Sequence, residues 1–221
     1  MRTLLVTVLA LTFSAPVLAQ RPGFALGFTT STDVYRYGAL WKKHGYGPQV
    51  DYRFRLRSSA GVQAHYVTSS RFAFTAGVLL SDKGAYYDYT DYGLIIGRAG
   101  TRYTVYERRM HLDVPLKLGY NWHLTDRLSL TPTSGIIVGK EFLRNYRVTE
   151  SNGDRTTRRD RGPYSGIRLD VPLELHLDYS LSSRLALSAA PYYRFDINLT
   201  DGEYGNPHSY GLLLDLRCYL K

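Results

Sequence analysis

From Arg109 to Leu124 the chain alternates without a break. Met110, Leu112, Val114, Leu116, Leu118, Tyr120, Trp122 and Leu124 are apolar or aromatic, and Arg109, His111, Asp113, Pro115, Lys117, Gly119, Asn121 and His123 lie between them. A period of two marks a strand with two unlike faces. The pattern returns from Ile167 to Leu181, with Arg168, Asp170, Glu174, His176 and Asp178 on the polar side. It also runs upstream: Val50, Tyr52, Phe54, Leu56, Ala60, Val62, Ala64 and Tyr66 share one face, opposite Asp51, Arg53, Arg55, Arg57, Gln63 and His65. Beyond the first twenty residues no segment carries a helical period, so the pattern predicts an all-β protein.

Two of these segments share a phrase, LDVPLKL at 112–118 and LDVPLEL at 169–175. Each leads into a polar turn and a second strand, LTDRLSL at 124–130 and LSSRLAL at 181–187, and VTSSRFAF at 67–74 is a third version. The turn arginines Arg71, Arg127 and Arg184 recur at 127 − 71 = 56 and 184 − 127 = 57 residues. The repeating unit is therefore a long hairpin. Three hairpins predict strands over about 50–67, 71–83, 104–123, 127–143, 165–180 and 184–199, and the segments 23–36 and 209–220 bring the number to eight.

The connections are lopsided. The turns between hairpin arms are short, whereas 37–49, 84–103, 144–164 and, less so, 200–208 are long. This predicts an eight-stranded antiparallel transmembrane β-barrel in the outer membrane, with short periplasmic turns, longer extracellular loops and both termini in the periplasm. Tyr66, Tyr120, Trp122 and Tyr179 close the apolar stripes, where an interfacial girdle belongs. The polar face holds many small residues, among them Gly61, Ala73, Thr75, Gly77, Ser129, Thr131, Gly135 and Ser188. A narrow lumen demands that, and a solvated surface does not. A soluble lipocalin-like barrel with an apolar ligand inside would turn the faces around. A charge at Leu116 or Leu173 would then fill its cavity, while in a membrane barrel it would block insertion.

The first residues, MRTLLVTVLALTFSAPVLAQ, combine Arg2, an apolar run from Leu4 to Phe13 and Val17-Leu18-Ala19. They read as a cleaved secretory signal over 1–19, followed by a single barrel domain over 20–221. The single Cys218 excludes an internal disulfide in an exported chain. Twenty Tyr and twenty Gly among 221 residues suit a barrel with girdles and a crowded lumen. The net charge of +9 points to an acidic partner only if the excess lies outside the lumen. Inside, Arg53, Arg55, Arg57, Lys117, Arg168, Arg194 and Arg217 nearly balance Asp51, Asp113, Asp170, Glu174, Asp178, Asp196 and Asp215. Unpaired buried charge is costly, so these residues are expected to form an ion-pair network that fills the lumen. Pro115 and Pro172 each remove a ladder hydrogen bond and mark either a bulge or bend that lets the sheet close or a relic with no special geometry.

The string HLDVPLKLGYNWHLTDRLSLTPTSGIIVG resembles the signature of the PorT-like outer-membrane β-barrel proteins of the Bacteroidota. There an apolar-acidic-apolar-Pro-Leu strand is followed by a turn and a Gly-containing strand. The motif is confined to Leu112–Gly139, and the architecture matches over the whole mature chain. The resemblance implies an outer-membrane location, an eight-stranded barrel and passage through the barrel-assembly machinery, and it assigns no activity. Members usually close on an aromatic residue. Here Leu220 takes that place, before Lys221.

The chemistry of a small-barrel enzyme finds little support. His208 and Ser209 are adjacent and so point to opposite faces of a strand, which does not make a lipid-modifying acyl-transfer pair. Asp88 and Asp91 lack a histidine companion, and no His/Cys cluster has zinc spacing. The expectation is a non-enzymatic barrel with no cofactor and no metal, monomeric and without nucleic-acid partners. What remains is in the loops. GAYYDYTDY offers Tyr86, Tyr87, Tyr89 and Tyr92 as a recognition surface or as an outer girdle. RNYRVTESNGDRTTRRDR offers Arg155, Arg158, Arg159 and Arg161, in a solvated loop, as candidates for lipopolysaccharide phosphates.

Overall fold

The computed structural model describes residues 23–36, 49–52, 55–91, 101–160, 167–197 and 208–220. The signal segment and the parts of the long connections at 37–48, 92–100, 161–166 and 198–207 lie outside the described residues, as do Arg53, Tyr92 and Arg161. Every described element is a β-strand. They are β1 (Gly23–Arg36), β2 (Gln49–Tyr52), β3 (Leu56–Val67), β4 (Phe72–Asp82), β5 (Tyr86–Asp91), β6 (Thr101–Tyr120), β7 (Trp122–His123), β8 (Leu128–Glu150), β9 (Arg155–Asp160), β10 (Ile167–Ser180), β11 (Leu185–Asp196) and β12 (His208–Tyr219).

Eight of them form a ring in the order β1-β3-β4-β6-β8-β10-β11-β12, each antiparallel to its neighbours, and the pairing of β1 with β12 completes the circuit. The arrangement is an all-β, eight-stranded antiparallel barrel. Its two faces are sharply distinct. Leu26, Phe28, Val62, Val78, Leu112, Leu116, Leu173, Leu187 and Leu214 point outward and are exposed, Leu116 at 48%. Asp113, Lys117, Glu174, Asp178, Arg194 and Asp215 point inward and are buried. A barrel with an apolar exterior and a charged interior is of the outer-membrane type. The soluble alternative fails on this point, since the apolar stripes face away from any interior ligand. Two shallow grooves of about 680 and 510 Å³, lined mostly by outward residues such as Leu118, Leu173, Leu175 and Tyr210, or Phe74, Leu116 and Ile136, lie on that exterior.

The sequence repeat has a structural counterpart at the short-turn rim. Leu124 N–H donates to Leu128 O and Leu181 N–H to Leu185 O, both at 2.9 Å. Thr125 Oγ1 and Ser182 Oγ then accept from the Leu128 and Leu185 amides at 3.1 Å each. The two turns are the same object, closed by a hydroxyl in the second position.

The prolines do not create bulges. Next to Pro115 the β4–β6 ladder pauses between Ala76↔Leu116 and Leu79↔Asp113 and resumes in unchanged register. Next to Pro172 the β8–β10 ladder pauses between Asp170↔Ile137 and Leu173↔Ser134, again in register. Each proline thus opens the ladder toward the preceding arm, where its missing N–H would have donated. Continuing each register across its gap sets Pro115 opposite Gly77 and Pro172 opposite Gly135. At Gly135 a Cβ would come within 2.7 Å of the Lys117 Cα, so the close approach that excludes a side chain there is to β6, the other neighbour of β8, and not to Pro172. The register shift in the β6–β8 pair lies elsewhere, between Met110 and His111.

That shift separates two regions. A tilted transmembrane strand needs about 9–11 residues, and β3, β4, β11 and β12, at 12, 11, 12 and 12 residues, hardly exceed that. β6 and β8 have 20 and 23 residues and continue beyond the barrel. There β5 adds to β6 and β9 to β8, giving a sheet in the order β2-β5-β6-β8-β9 on the long-connection rim. The described parts of the segments 84–103 and 144–164, expected as loops, are therefore largely strand. The β8–β9 turn explains the second case. Gly153 N–H donates to Glu150 O at 3.0 Å, Glu150 N–H to Asp154 O at 2.9 Å, and Gly153 has φ of 92°. Asn-Gly is a hairpin signal, and alternating polar residues flank it on both sides.

Candidate functional site

The lumen is filled by paired charge. Near the short-turn rim Arg217 donates to Asp215 at 2.7 Å and to Asp178 at 2.9 Å, and His65 Nε2 lies 2.9 Å from Asp215. Above them Lys117 Nζ meets Glu174 at 2.8 Å, and Glu174 also contacts His176 Nε2 at 2.8 Å. Next, Arg168 bridges Asp113 at 3.2 Å and Asp170 at 2.9 Å, and Ser81 donates to Asp113 at 2.7 Å. Farther up, Arg194 lies 4.3 Å above the Tyr192 ring, and Lys83 stands 3.7 Å from Asp33. Arg57 and Asp196 face the same interior and are buried. Arg55 sits at the rim, where it donates to Asp82 at 2.6 Å and covers the Tyr106 ring at 4.4 Å.

The network also includes Asp33, Lys83 and Glu107, inward charges that the expected set left out. Their chemistry gave no cue, because one inward charge looks like another until the register places it opposite a partner. His176 contacts a carboxylate and Ser188 and so acts as a lumen hydrogen-bonding group, whereas His111, also buried in the lumen, stands 3.8 Å from Glu141, beyond hydrogen-bond distance. Ser209 points inward and is buried, whereas His208 stacks on the outward Tyr193 at 5.6 Å. The two side chains are therefore on opposite sides of the barrel wall.

The outer sheet has two faces of different character. Its inward face continues the lumen. There Glu107 takes Arg109 at 2.6 Å, Glu141 takes Arg144 at 2.6 and 2.7 Å, and Arg144 donates to Tyr146 at 3.2 Å. The Glu141 hydrogen bond raises the Arg144 pKa above its ordinary value, and burial raises that of Tyr146. Tyr89 stacks on Tyr103 at 4.9 Å and approaches Tyr87 at 6.4 Å. Arg158, paired in register with Tyr146, belongs to this face.

The outward face carries Tyr86, Asp88, Arg102, Thr104, Tyr106, Arg108, Asn145, Arg147, Arg155, Thr157 and Arg159, as the registers dictate. Asp88, buried at its carboxylate, accepts from Thr104 at 2.7 Å and from Arg102 at 3.0 Å. Arg108, Arg147, Arg155 and Arg159 are exposed and make no ion pair among the described residues. Arg147 is the diagonal neighbour of both Arg108 and Arg159, a spacing of about 7–8 Å at which like charges repel.

The four arginines grouped from sequence are thus divided. Arg155 and Arg159 share the outward face, Arg158 points the other way, and Arg161 lies outside the described residues. Arg108 and Arg102 were within reach of the sequence pattern, because they continue the even-numbered outward positions of β6. Arg147 was not. The shift at Met110/His111 changes the parity of β8, so the outward series Ile136, Val138, Lys140 is followed by Asn145 and Arg147. Tyr86 packs against Tyr106 at 6.3 Å on the outward face, while Tyr87 and Tyr89 belong to the inward one.

No family model and no curated relative matches the chain in sequence. In structure it is similar to Ail, the attachment invasion locus protein of Yersinia pestis, at 8% identity and a TM-score of 0.48, over 91% of this chain and 100% of that one. It is also similar to a major outer membrane protein from Thermus thermophilus, at 11% identity and a TM-score of 0.45, over 88% and 99%. Neisserial surface protein A follows at 13% identity and 0.41, over 90% and 97%. The ring of strand pairings, rather than these likenesses, carries the assignment of the barrel.

Proposed function

We propose that the protein is a non-enzymatic outer-membrane barrel whose lumen is closed by its own side chains and whose work is surface recognition by the outer sheet. One observation carries this reading. The chain extends β6 and β8 to nearly twice the length that a membrane crossing requires, and adds β5 and β9 to them, while keeping the opposite rim to short, hydroxyl-closed turns. A protein that only needed to sit in the bilayer would have no use for that sheet. The paired charges across the lumen leave the outer sheet as the surface available to partners. The LDVPL strands and their turns support placement among PorT-like barrels of the Bacteroidota, assembled by the barrel-assembly machinery, surrounded by outer-membrane lipid and monomeric.

The test is expression of the full chain followed by fractionation. The expected result is a band in the outer-membrane fraction whose mobility shifts on boiling, and purified protein that gives no steady conductance in planar bilayers. A soluble periplasmic band without a shift would overturn the membrane reading. A stable ohmic conductance would overturn the closed lumen.

A further inference from the structure

The outward face of the outer sheet does not belong to the lumen network or to the apolar belt, yet it continues the belt. Leu112 lies opposite Lys140, and Lys140 opposite Ile167, at the upper edge of the apolar surface. Arg108 follows four residues farther along β6, about 13 Å at strand rise and less in height because the strand is tilted. Arg147 and Arg159 stand beside it on β8 and β9. The basic cluster therefore begins where acyl chains end and headgroups begin.

We propose that Arg108, Arg147 and Arg159, with Lys140 below them, hold the phosphate groups of the outer-leaflet lipid surrounding the barrel. The inference rests on the membrane reading above and names the ligand class of its outer sheet. Three observations carry it. The first is continuity, since the cluster shares a face, and Arg108 also a strand, with Leu112, Leu116 and Leu118, which that lipid must cover. The second is charge. The nearby acids on this face are already engaged, Asp88 by Arg102 and Thr104, and Asp82 by Arg55. Arg108, Arg147 and Arg159 stand next to one another without a counter-charge among the described residues, an arrangement that an anion relieves. Guanidinium forks match phosphate oxygens in a bidentate manner. The third is the flanking pair Tyr86 and Tyr106, whose rings meet at 6.3 Å at the same level. Tyrosines with an apolar ring and a polar tip mark the headgroup layer.

The test uses the full chain in detergent, titrated with diphosphoryl lipid A and, separately, with lipid A stripped of both phosphates. Two variants of equal charge loss are compared, Arg108→Gln with Arg147→Gln, and Arg158→Gln with Arg184→Gln. Arg184 lies on the opposite rim and Arg158 on the opposite face of the sheet. The expected result is about a tenfold or greater loss of affinity for the phosphorylated lipid in the first variant, as when one charge-assisted contact is removed. The second variant should bind as wild type, and the stripped lipid should bind all three equally weakly. Equal losses in both variants would reduce the effect to bulk charge and overturn the assignment, as would no loss in either. Tight binding of soluble heparin with no preference for phosphorylated lipid would replace the lipid with a sulfated glycan. The gel shift on boiling is read for every protein. Should a variant fail to shift, the wild type alone decides, because its affinity must fall with added salt and with removal of the phosphates. Absence of the shift in wild type would instead overturn the membrane reading itself.

Discussion

Strand β6 crosses two environments while keeping one partner. From Leu112 to Leu118 its outward positions are Leu, Val, Leu and Leu, and from Arg102 to Arg108 they are Arg, Thr, Tyr and Arg. Both halves pair with β8, and the inward face is buried in both, with Asp113 and Lys117 below and Tyr103, Val105 and Glu107 above. The backbone is thus indifferent to its surroundings, and the outward side chains alone record where hydrocarbon stops. In the lower half the apolar exterior makes the strand insoluble outside a bilayer, and in the upper half arginine makes it unsuited to one. The same argument distinguishes the two ends of the barrel. The short-turn rim closes immediately below its aromatic residues, with Phe72–Tyr120 at 5.6 Å and Tyr120–Trp122 at 6.1 Å, while the other rim rises into a sheet.

The widest expected difference between the two regions is in their ion pairs. Lys117 and Glu174 are dry, with side-chain exposures of 1% and 0%. Lys117→Met would leave the Glu174 carboxylate without its ammonium and should cost about 3–5 kcal/mol, while Lys117→Met with Glu174→Met should recover most of it. Arg102, 61% exposed, pairs with Asp88 in the outer sheet. Arg102→Gln should cost less than about 1 kcal/mol. Urea titrations in lipid vesicles, followed by tryptophan fluorescence, measure all three variants. A loss at Arg102 as large as that at Lys117 would mean that the outer sheet is as dry as the lumen, and the distinction would collapse.

A second contrast comes from placing one charge at two heights on the outward face of β6. Leu116→Arg puts a guanidinium in the middle of the apolar belt, where the cost is about 2–4 kcal/mol. Thr104→Arg puts it outside the hydrocarbon and should leave insertion intact, its cost being the lost Thr104 hydrogen bond to Asp88, about 1.5 kcal/mol. The yield of the heat-shifted band in the membrane fraction reports the difference. Equal yields would remove the belt from Leu116.

How much of this was legible in the sequence follows from the same two regions. In the barrel, alternation is complete and each arm ends at a polar turn, so the eight strands and their faces could be read directly from residues such as Leu112 to Leu118. The alternation also set Asp113, Lys117, Arg168, Glu174 and Arg217 on the polar face, where they are buried, but it did not give their partners. Lys117 with Glu174 and Arg217 with Asp178 are neighbours only after β6, β8, β10 and β12 close around one axis. The outer sheet was harder. The segment from Arg144 to Asp160 is polar on both faces, so it lacks the apolar stripe by which a strand declares itself. The register shift near Met110 then reverses parity in β8, which hid the company that Arg147 keeps. The prolines left two readings open. Each could have been a bulge or bend or a relic without special geometry, and the ladder continues in unchanged register opposite a glycine, which excludes the bulge.

The smallest expected effect lies at the tip of the outer sheet, in the β8–β9 turn. Gly153 adopts φ of 92°, and a Cβ there would meet nothing within 4 Å. Any cost of Gly153→Ala therefore comes from the backbone, because an L-residue is disfavoured in the left-handed region, by about 1 kcal/mol. Among the described residues the backbone hydrogen bonds of the tip run within the turn and from Ser151 to Arg102 at the end of β6, so the loss should remain local. Amide exchange along Val148 to Arg158 should accelerate about fivefold, the factor corresponding to that energy, while Leu112 to Leu118 keep their protection. The two regions are joined by continuous strands, which makes the result informative in either direction. Confinement to the tip would show that β6 and β8 pass from one cooperative unit into another at the register shift. Faster exchange in the belt would show that the outer sheet and the barrel unfold as one.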